Sequence, residues 1–108
     1  MSKRRVGSTH RPVCIYGRVV LEFFGNEDES FKNSEMLRLV KALRKELPVS
    51  AVNVEEQYVE NPERATLVFS LVGPTIDHAR RLQDEVLKFL DEMAPARLID
   101  EEIQAVDI

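Results

Sequence analysis

The stretch that decides the fold is VCIYGRVVLEFF, residues 13–24. Its odd-numbered residues are apolar apart from one glycine, whereas its even-numbered residues include Tyr16, Arg18 and Glu22. A period of two with β-branched residues is typical of a strand that buries one face. The stretch is therefore predicted to be a strand whose odd-numbered side faces the core.

A first helix is predicted after this strand. Residues 25–32 are rich in Gly, Asn and acids and indicate a loop, and Asn33 or Ser34 would cap the helix that follows. Apolar residues then recur at steps of three and four, which predicts one buried stripe. That stripe consists of Met36, Leu39, Val40, Leu43 and Leu47. Pro48 would end the helix.

Two further strands are predicted, joined by a hairpin. Residues 49–59 indicate a strand, although their pattern does not decide which face is buried. Residues 61–64 read Asn-Pro-Glu-Arg, which suits a type I turn. In the strand that follows, Leu67, Phe69 and Leu71 share one side, so this side is predicted to face the core.

A second helix and a last strand complete the chain. Thr75 would cap the helix, and an apolar stripe runs from Ile76 to Met93. Residues 97–108 indicate a weaker strand, with Ile99, Ile103 and Ala105 on one side.

The order of these elements predicts an α+β fold. Strand, helix, strand, strand, helix, strand is the ferredoxin-like β-α-β-β-α-β arrangement. It gives a four-stranded antiparallel sheet with two helices on one face and leaves the other face bare. Residues 13–108 are predicted to form this single domain, and residues 1–12 a flexible basic arm.

Composition excludes several classes of protein. The single cysteine, Cys14, excludes an intramolecular disulfide and is expected to be a small apolar residue, buried or half-buried. No stretch is long and apolar enough for a membrane span or a signal peptide, so a cytoplasmic protein without membrane contact is expected. The net charge is −4, yet the arm carries Lys3, Arg4, Arg5 and Arg11 without an acid. The acidic remainder is unsuited to general nucleic-acid binding, which depends on neutralising phosphates.

The bare sheet face is the first candidate binding surface. It would present Tyr16, Arg18, Arg64 and Thr66 to a partner. Some domains of this topology stack RNA bases on aromatic residues of the two central strands. That pattern is incomplete here, because Phe69 is predicted on the core side, and a mixed surface or a dimer interface is the alternative.

The first helix carries a second candidate surface. Arg38, Lys41 and Lys45 recur at helical spacing on the side opposite its apolar stripe. A solvated helix face explains such a pattern, since helix exteriors are routinely charged. The functional interpretation is a docking strip for an acidic partner or an RNA backbone.

Catalytic or metal-binding machinery is not predicted. Tyr16-Gly17-Arg18-Val19 is slightly similar to the phosphate-cradling loop of acylphosphatases, but the glycine-rich turn and the water-orienting Asn of that family have no counterpart. His10, His78 and Cys14 lack the spacing of a metal site. We therefore expect a protein that is not an enzyme and that has no cofactor or metal.

The chain resembles the YlxP-like family of small bacterial proteins of unknown function. The resemblance covers most of residues 13–108. It rests on Leu47-Pro48-Val49-Ser50-Ala51, on Glu63-Arg64-Ala65, on Phe69-Ser70-Leu71-Val72-Gly73 and on the helix from Ala79 to Leu90. The family usually enters its first helix with Ser-Leu-Lys-Glu-Lys-Arg, whereas residues 30–35 here keep one base, Lys32.

The resemblance implies a ferredoxin-like fold and a link to translation. Members of the family are often encoded beside initiation factor two and ribosome-binding factor A. The first hypothesis is therefore a non-enzymatic binding or accessory protein that contacts the ribosome or RNA. The second is a homo-oligomer that associates through the sheet face or an edge strand, the last strand near Val106 and Ile108 being one such edge. The third is a small acylphosphatase-like hydrolase that depends on Arg18.

Overall fold

The fold is an antiparallel sheet with two helices. The computed structural model describes residues 11–54, 61–93 and 95–108. The elements are β1 (Val13–Glu22), α1 (Glu29–Glu46), β2 (Ser50–Val54), β3 (Arg64–Gly73), α2 (Ile76–Met93) and β4 (Arg97–Asp107). The strand order is β2-β3-β1-β4, and every neighbouring pair is antiparallel. The predicted ferredoxin-like α+β fold is confirmed, whereas residues 1–10 of the arm and residues 55–59 of the second predicted strand lie outside the described residues.

The core lies between the sheet and both helices. Odd-numbered residues of β1 and β3 share one buried cluster with Leu43 of α1 and Val86 and Leu90 of α2. Ile15 and Leu67, at the centre of the sheet, are completely buried. The predicted buried side of VCIYGRVVLEFF is therefore confirmed. We call the opposite side of the sheet, which carries the even-numbered residues, the open face.

Two glycines allow close approach within this core. A Cβ atom on Gly17 would lie 2.9 Å from Ile103 Cγ1 and 3.0 Å from Phe69 Cε1. A Cβ atom on Gly73 would lie 2.6 Å from the backbone nitrogen of Ala79, so the end of β3 touches the first turn of α2. Neither position has room for a side chain.

The first helix begins earlier than the sequence pattern indicates. Asp28 caps α1, and its side chain accepts a hydrogen bond from Ser30 N at 2.9 Å. The predicted caps, Asn33 and Ser34, are wrong because they lie inside the helix, one turn further on. The charged residues of this turn concealed the helix from a search for apolar periodicity. Thr75 was correctly predicted as a cap, since its hydroxyl accepts from His78 N at 3.2 Å.

A bulge in β4 changes which of its residues face the core. Asp100 lies opposite Val20, but Leu98 lies opposite Leu21, so β4 holds one extra residue there. Leu98 consequently packs on the core together with Ile103 and Ala105. The prediction that Ile99 shares their side is wrong, because strict alternation does not anticipate an inserted residue.

A buried lysine joins α1 to the connection between β2 and β3. Lys32 Nζ lies 2.8 Å from Glu29 Oε1 and donates to the backbone oxygen of Asn61 at 2.9 Å. The predicted turn after Asn61 is present, because Arg64 N donates to Asn61 O at 3.3 Å. Asn26 Nδ2 also donates to the backbone oxygen of Pro62 at 2.8 Å. We call these contacts the polar clamp.

Candidate binding surfaces

The open face brings four of the predicted contact residues onto one surface. Tyr16, Arg18, Arg64 and Thr66 occupy even-numbered positions of β1 and β3, and Arg18 lies directly opposite Val68. The other three predicted contact residues are Arg38, Lys41 and Lys45 of α1, which belong to the helical layer on the other side of the sheet. The structure therefore divides the seven predicted residues between two separate surfaces.

Thr66 does not offer its side chain to a partner. It is fully buried, and Val20 beside it is nearly so. The neighbouring rows of the open face carry the longer side chains of Arg64 and Arg18, and a short threonine between such rows is shielded from solvent. The prediction of Thr66 as a contact residue is thus corrected. Its buried hydroxyl oxygen has no hydrogen-bond partner among the described residues.

The arginines of the open face are paired with acids. Arg18 Nη2 lies 3.4 Å from Glu102 Oε1, and Arg64 Nη2 lies 3.8 Å from Glu22 Oε2. Both pairs are partly exposed, so each contributes little to stability, but each compensates a positive charge within the fold. This surface is consequently a weak attractor for phosphate groups.

Tyr16 keeps a half-exposed ring on the open face. Its hydroxyl donates to Gln104 Oε1 at 2.9 Å, and the residue is 43% exposed. Phe69 lies on the core side and is buried, as predicted. The pair of exposed aromatic residues that stacks RNA bases in related topologies is therefore not formed by these two residues.

One end of the open face is apolar, which sequence reasoning missed. Cys14 lies between Val72 of β3 and Val106 of β4, and both valines are exposed. Cys14 itself is half-buried, as predicted. Only the strand register brings these three residues into one row, since they are far apart along the chain.

The acylphosphatase-like interpretation of residues 16–19 does not fit the backbone. These residues lie in the middle of β1 and pair on both sides, with β3 and with β4. Gly17 is buried beneath Phe69 and Ile103, and Arg18 binds Glu102. A phosphate-cradling loop is thus absent from this segment.

The basic residues in the C-terminal half of α1 are exposed to solvent and differ in their ion-pair partners. Arg38 Nη2 lies 2.6 Å from Glu35 Oε2, within the helix. Lys41, Arg44 and Lys45 are exposed, and none of them forms an ion pair with a described residue. Within the described residues, the C-terminal half of α1 thus presents three cations that have no ion pair, beside the single acid Glu46.

A groove of about 790 Å³ lies between α1 and β2 at the edge of the sheet. Its middle is apolar and includes Leu37, Val40 and Val52, whereas Glu29 lies at one end and Arg44 at the other. Leu37 and Val52 are each 56% exposed. Sequence reasoning missed this groove because Leu37 lies off the apolar stripe and β2 had no assigned face.

The described residues form neither a metal-binding cluster nor a membrane-spanning helix. Across residues 11–54, 61–93 and 95–108, no group of three or more His, Cys, Asp or Glu residues is placed to hold a metal ion. Neither described helix is long and apolar enough to cross a membrane.

Comparisons with solved structures give distant likenesses. The designed protein Foldit4 matches with a TM-score of 0.47 and 11% identity, covering 88% of this chain and 96% of its own. The designed protein Ferredog-Diesel matches with a TM-score of 0.41 and 10% identity, covering 96% and 91%. Protein SO0527 from Shewanella oneidensis matches with a TM-score of 0.42 and 9% identity, covering 92% of each chain.

Comparisons at the level of sequence place the chain in a family. A search of curated proteins finds no match. A family model described as "Protein of unknown function (DUF503)" matches residues 21–103, from the end of β1 into β4. Because this match spans most of the 108 residues, the chain belongs to the DUF503 family.

Proposed function

We propose that this chain is a non-enzymatic accessory protein that docks on the phosphate backbone of RNA, as exposed on ribosomal particles. The contact surface is the basic strip, Arg38, Lys41 and Lys45 of α1. The observation that carries the proposal is the contrast in pairing between two sets of cations. Lys41 and Lys45 have no acidic partner among the described residues, whereas Arg18 and Arg64 of the open face are neutralised by glutamates.

The geometry of the strip suits contact with the phosphate backbone of RNA rather than with its bases. From Arg38 to Lys45 the helix rises about 10 Å, at roughly 1.5 Å per residue. Long cationic side chains on an exposed helix contact phosphates without reading sequence. The resemblance to the YlxP-like family, with its neighbours in translation, supports RNA as the anionic partner.

The acidity of the chain limits the strength of this contact. The net charge is −4, so RNA is repelled by most of the surface and attracted by the strip. Contacts with about three phosphates give a slope of roughly −2 for the logarithm of affinity against the logarithm of salt concentration. Raising the salt concentration fourfold should therefore weaken binding about 16-fold.

A catalytic role receives no support from the reactive side chains of the described residues, which do not include His10. Cys14 is half-buried on the open face, whereas His78 is exposed on α2, on the other side of the sheet. They cannot act on the same substrate atom, because a nucleophile and its base must lie within hydrogen-bond reach.

The test is co-sedimentation with ribosomal particles at low and moderate salt. The variant Lys41→Gln with Lys45→Gln removes two strip charges. The variant Arg80→Gln with Lys88→Gln removes the same charge from exposed positions of α2 and serves as the control. We expect the unmodified chain to bind at low salt. The strip variant should bind about tenfold more weakly or worse, whereas the control should keep the affinity of the unmodified chain. Absence of binding even at low salt, or equal losses in the two variants, would contradict the proposal.

A further inference from the structure

The outer edge of β2 is not covered by any strand of the described residues. β2 is the last strand on its side of the sheet, and no described strand pairs with its outer side. Its residues, Ser-Ala-Val-Asn-Val, include no charge and no proline, and its pairing with β3 has no bulge. Natural sheets usually block an edge with one of these devices, because free N–H and C=O groups invite another strand.

The groove beside this edge has a polarity that reverses along its length. Glu27, Asp28 and Glu29 gather at the beginning of α1, whereas Arg44 and Lys45 lie in its last turn. α1 and β2 are consecutive elements that flank the groove, and each presents an exposed apolar residue near its midpoint. These residues are Leu37 of α1, on the helical side, and Val52 of β2. The pairing of Val52 with Val68 places the side chain of Val52 on the open face, so this residue borders the groove at the strand edge.

We propose that a second copy of this chain occupies the groove, with the two β2 strands paired antiparallel through their outer edges. A two-fold axis perpendicular to the sheet makes such a contact isologous, so that each surface meets its own copy. The sheet would continue from one copy into the other, with the helices of both copies on the same side. This inference goes beyond the proposed RNA binding. Lys45 belongs to both surfaces, but the residues changed in the test below, Leu37 and Val52, lie outside the basic strip, so the two proposals can fail separately.

The arrangement of residues fits this symmetry. A two-fold axis places the middle of each element opposite the middle of the same element in the second copy. Val52 therefore meets Val52 of the second copy, and Leu37 approaches Leu37 of the second copy. The same axis exchanges the ends of α1, so the acidic beginning of one helix faces the basic end of the other. Opposite charges across an interface fix the register and suppress wrong pairings. The groove is therefore complementary to its own copy. Binding of an unrelated partner would not require this self-complementarity, so the pattern favours a second copy as the occupant.

The opposite edge of the sheet does not offer the same contact. β4 carries Asp100, Glu101 and Glu102 in succession and contains the bulge beside Leu21. An antiparallel copy of β4 would bring these acids toward one another. Association through β4, the edge first considered from the sequence, is thus disfavoured by its own charges.

The experiment measures the oligomeric state of the full chain by sedimentation equilibrium up to about 1 mM. Val52→Lys places two like charges at the proposed axis. Val106→Lys makes the same change at another exposed valine of the open face, on β4. We expect the unmodified chain to dimerise, Val52→Lys to raise the dissociation constant at least about tenfold, and Val106→Lys to leave it unchanged.

A second variant keeps the proposal testable if the first fails to fold. Leu37→Glu changes an exposed residue of α1 to a good helix former, so the helix should persist while the apolar middle of the groove gains charge. We expect the same loss of dimer. The proposal would be overturned if the unmodified chain stayed monomeric at every concentration, which is the result expected if the groove binds a different protein. A Val106→Lys variant that dissociates as readily as Val52→Lys would also overturn it, because the dimer would then use another surface.

Discussion

The two edges of the sheet are built differently. β4 has 11 residues, contains a bulge and carries three acids in succession. β2 has five residues, none of them charged, and pairs regularly with β3. One edge of the sheet thus carries features that discourage pairing with another strand, and the other edge has none of them within its five described residues.

The two strands are also attached to the rest of the molecule in different ways. β4 packs Leu98, Ile103 and Ala105 against the core. β2 buries Ala51, and the polar clamp of Lys32 holds Asn61, three residues before β3 begins. The described contacts of β4 with the core are thus apolar, whereas a polar contact joins α1 to the chain that enters β3.

The largest expected effect comes from breaking the polar clamp. Lys32→Met should lower the free energy of unfolding by about 2–3 kcal/mol, because it removes one partner of a largely buried ion pair and takes from Asn61 O the nearer of its two described donors, leaving Arg64 N. The lysine is only 3% exposed, whereas its partner Glu29 is partly exposed, so the cost lies below that of a fully buried pair. Urea denaturation measures it.

The matched control is Lys41→Met, the same change at an exposed position of α1. It should change stability by less than about 0.5 kcal/mol. Equal free energies of unfolding for the two variants would show that the polar clamp does not contribute to stability.

A smaller effect is expected from trimming the apolar attachment of β4. Ile103→Ala should cost about 2 kcal/mol, at the low end for such a truncation because Ile103 is only partly buried. Its side chain lies over Gly17, where no Cβ can fill the space that is lost. Val106→Ala on the exposed side of the same strand is the control, with an expected cost under about 0.5 kcal/mol in urea denaturation. A similar cost for both variants would mean that β4 is held by its backbone pairing rather than by its core contacts.

These attachments mark the limit of prediction from sequence. The alternation of β1 and most of the stripe of α2 predicted the core correctly, because period and burial are directly linked in regular elements. Met93, the last residue of that stripe, was wrongly predicted to be buried, since it is exposed at the end of α2. The sequence pattern places Lys32 in a loop, because residues 25–32 are rich in Gly, Asn and acids. The available signal was its position four residues before Met36, on the apolar stripe, where a buried lysine needs an acid and an acceptor.

The candidate surfaces were predictable to different degrees. The positions of Tyr16, Arg18 and Arg64 on one face followed from the period of two. Their pairing with Gln104, Glu102 and Glu22 did not, because a register between distant strands is decided by turns and bulges rather than by local sequence. The bulge that displaces Ile99 is one such feature, and the groove between α1 and β2 is a product of packing.

The smallest expected effect on stability tests whether the acids of β4 block its edge. The combined variant Asp100→Asn, Glu101→Gln and Glu102→Gln removes the charge but keeps the shape, including an oxygen that can accept from residue 101 N as Asp100 Oδ1 does. The Arg18–Glu102 pair is partly exposed, so the free energy of unfolding should change by less than about 1 kcal/mol. The variant is best studied in the Val52→Lys background, where the edge of β2 is blocked and only that of β4 can pair.

If the charges protect the edge, this variant should associate with increasing concentration in light scattering, whereas its Val52→Lys parent stays monomeric. The control removes the same charge from exposed positions of α2, as Asp84→Asn, Glu85→Gln and Asp91→Asn, and should also stay monomeric. Association of the control as well would attribute the effect to net charge. A monomeric β4 variant would assign the protection to the bulge, because a bulge alone can turn an edge away from a second strand.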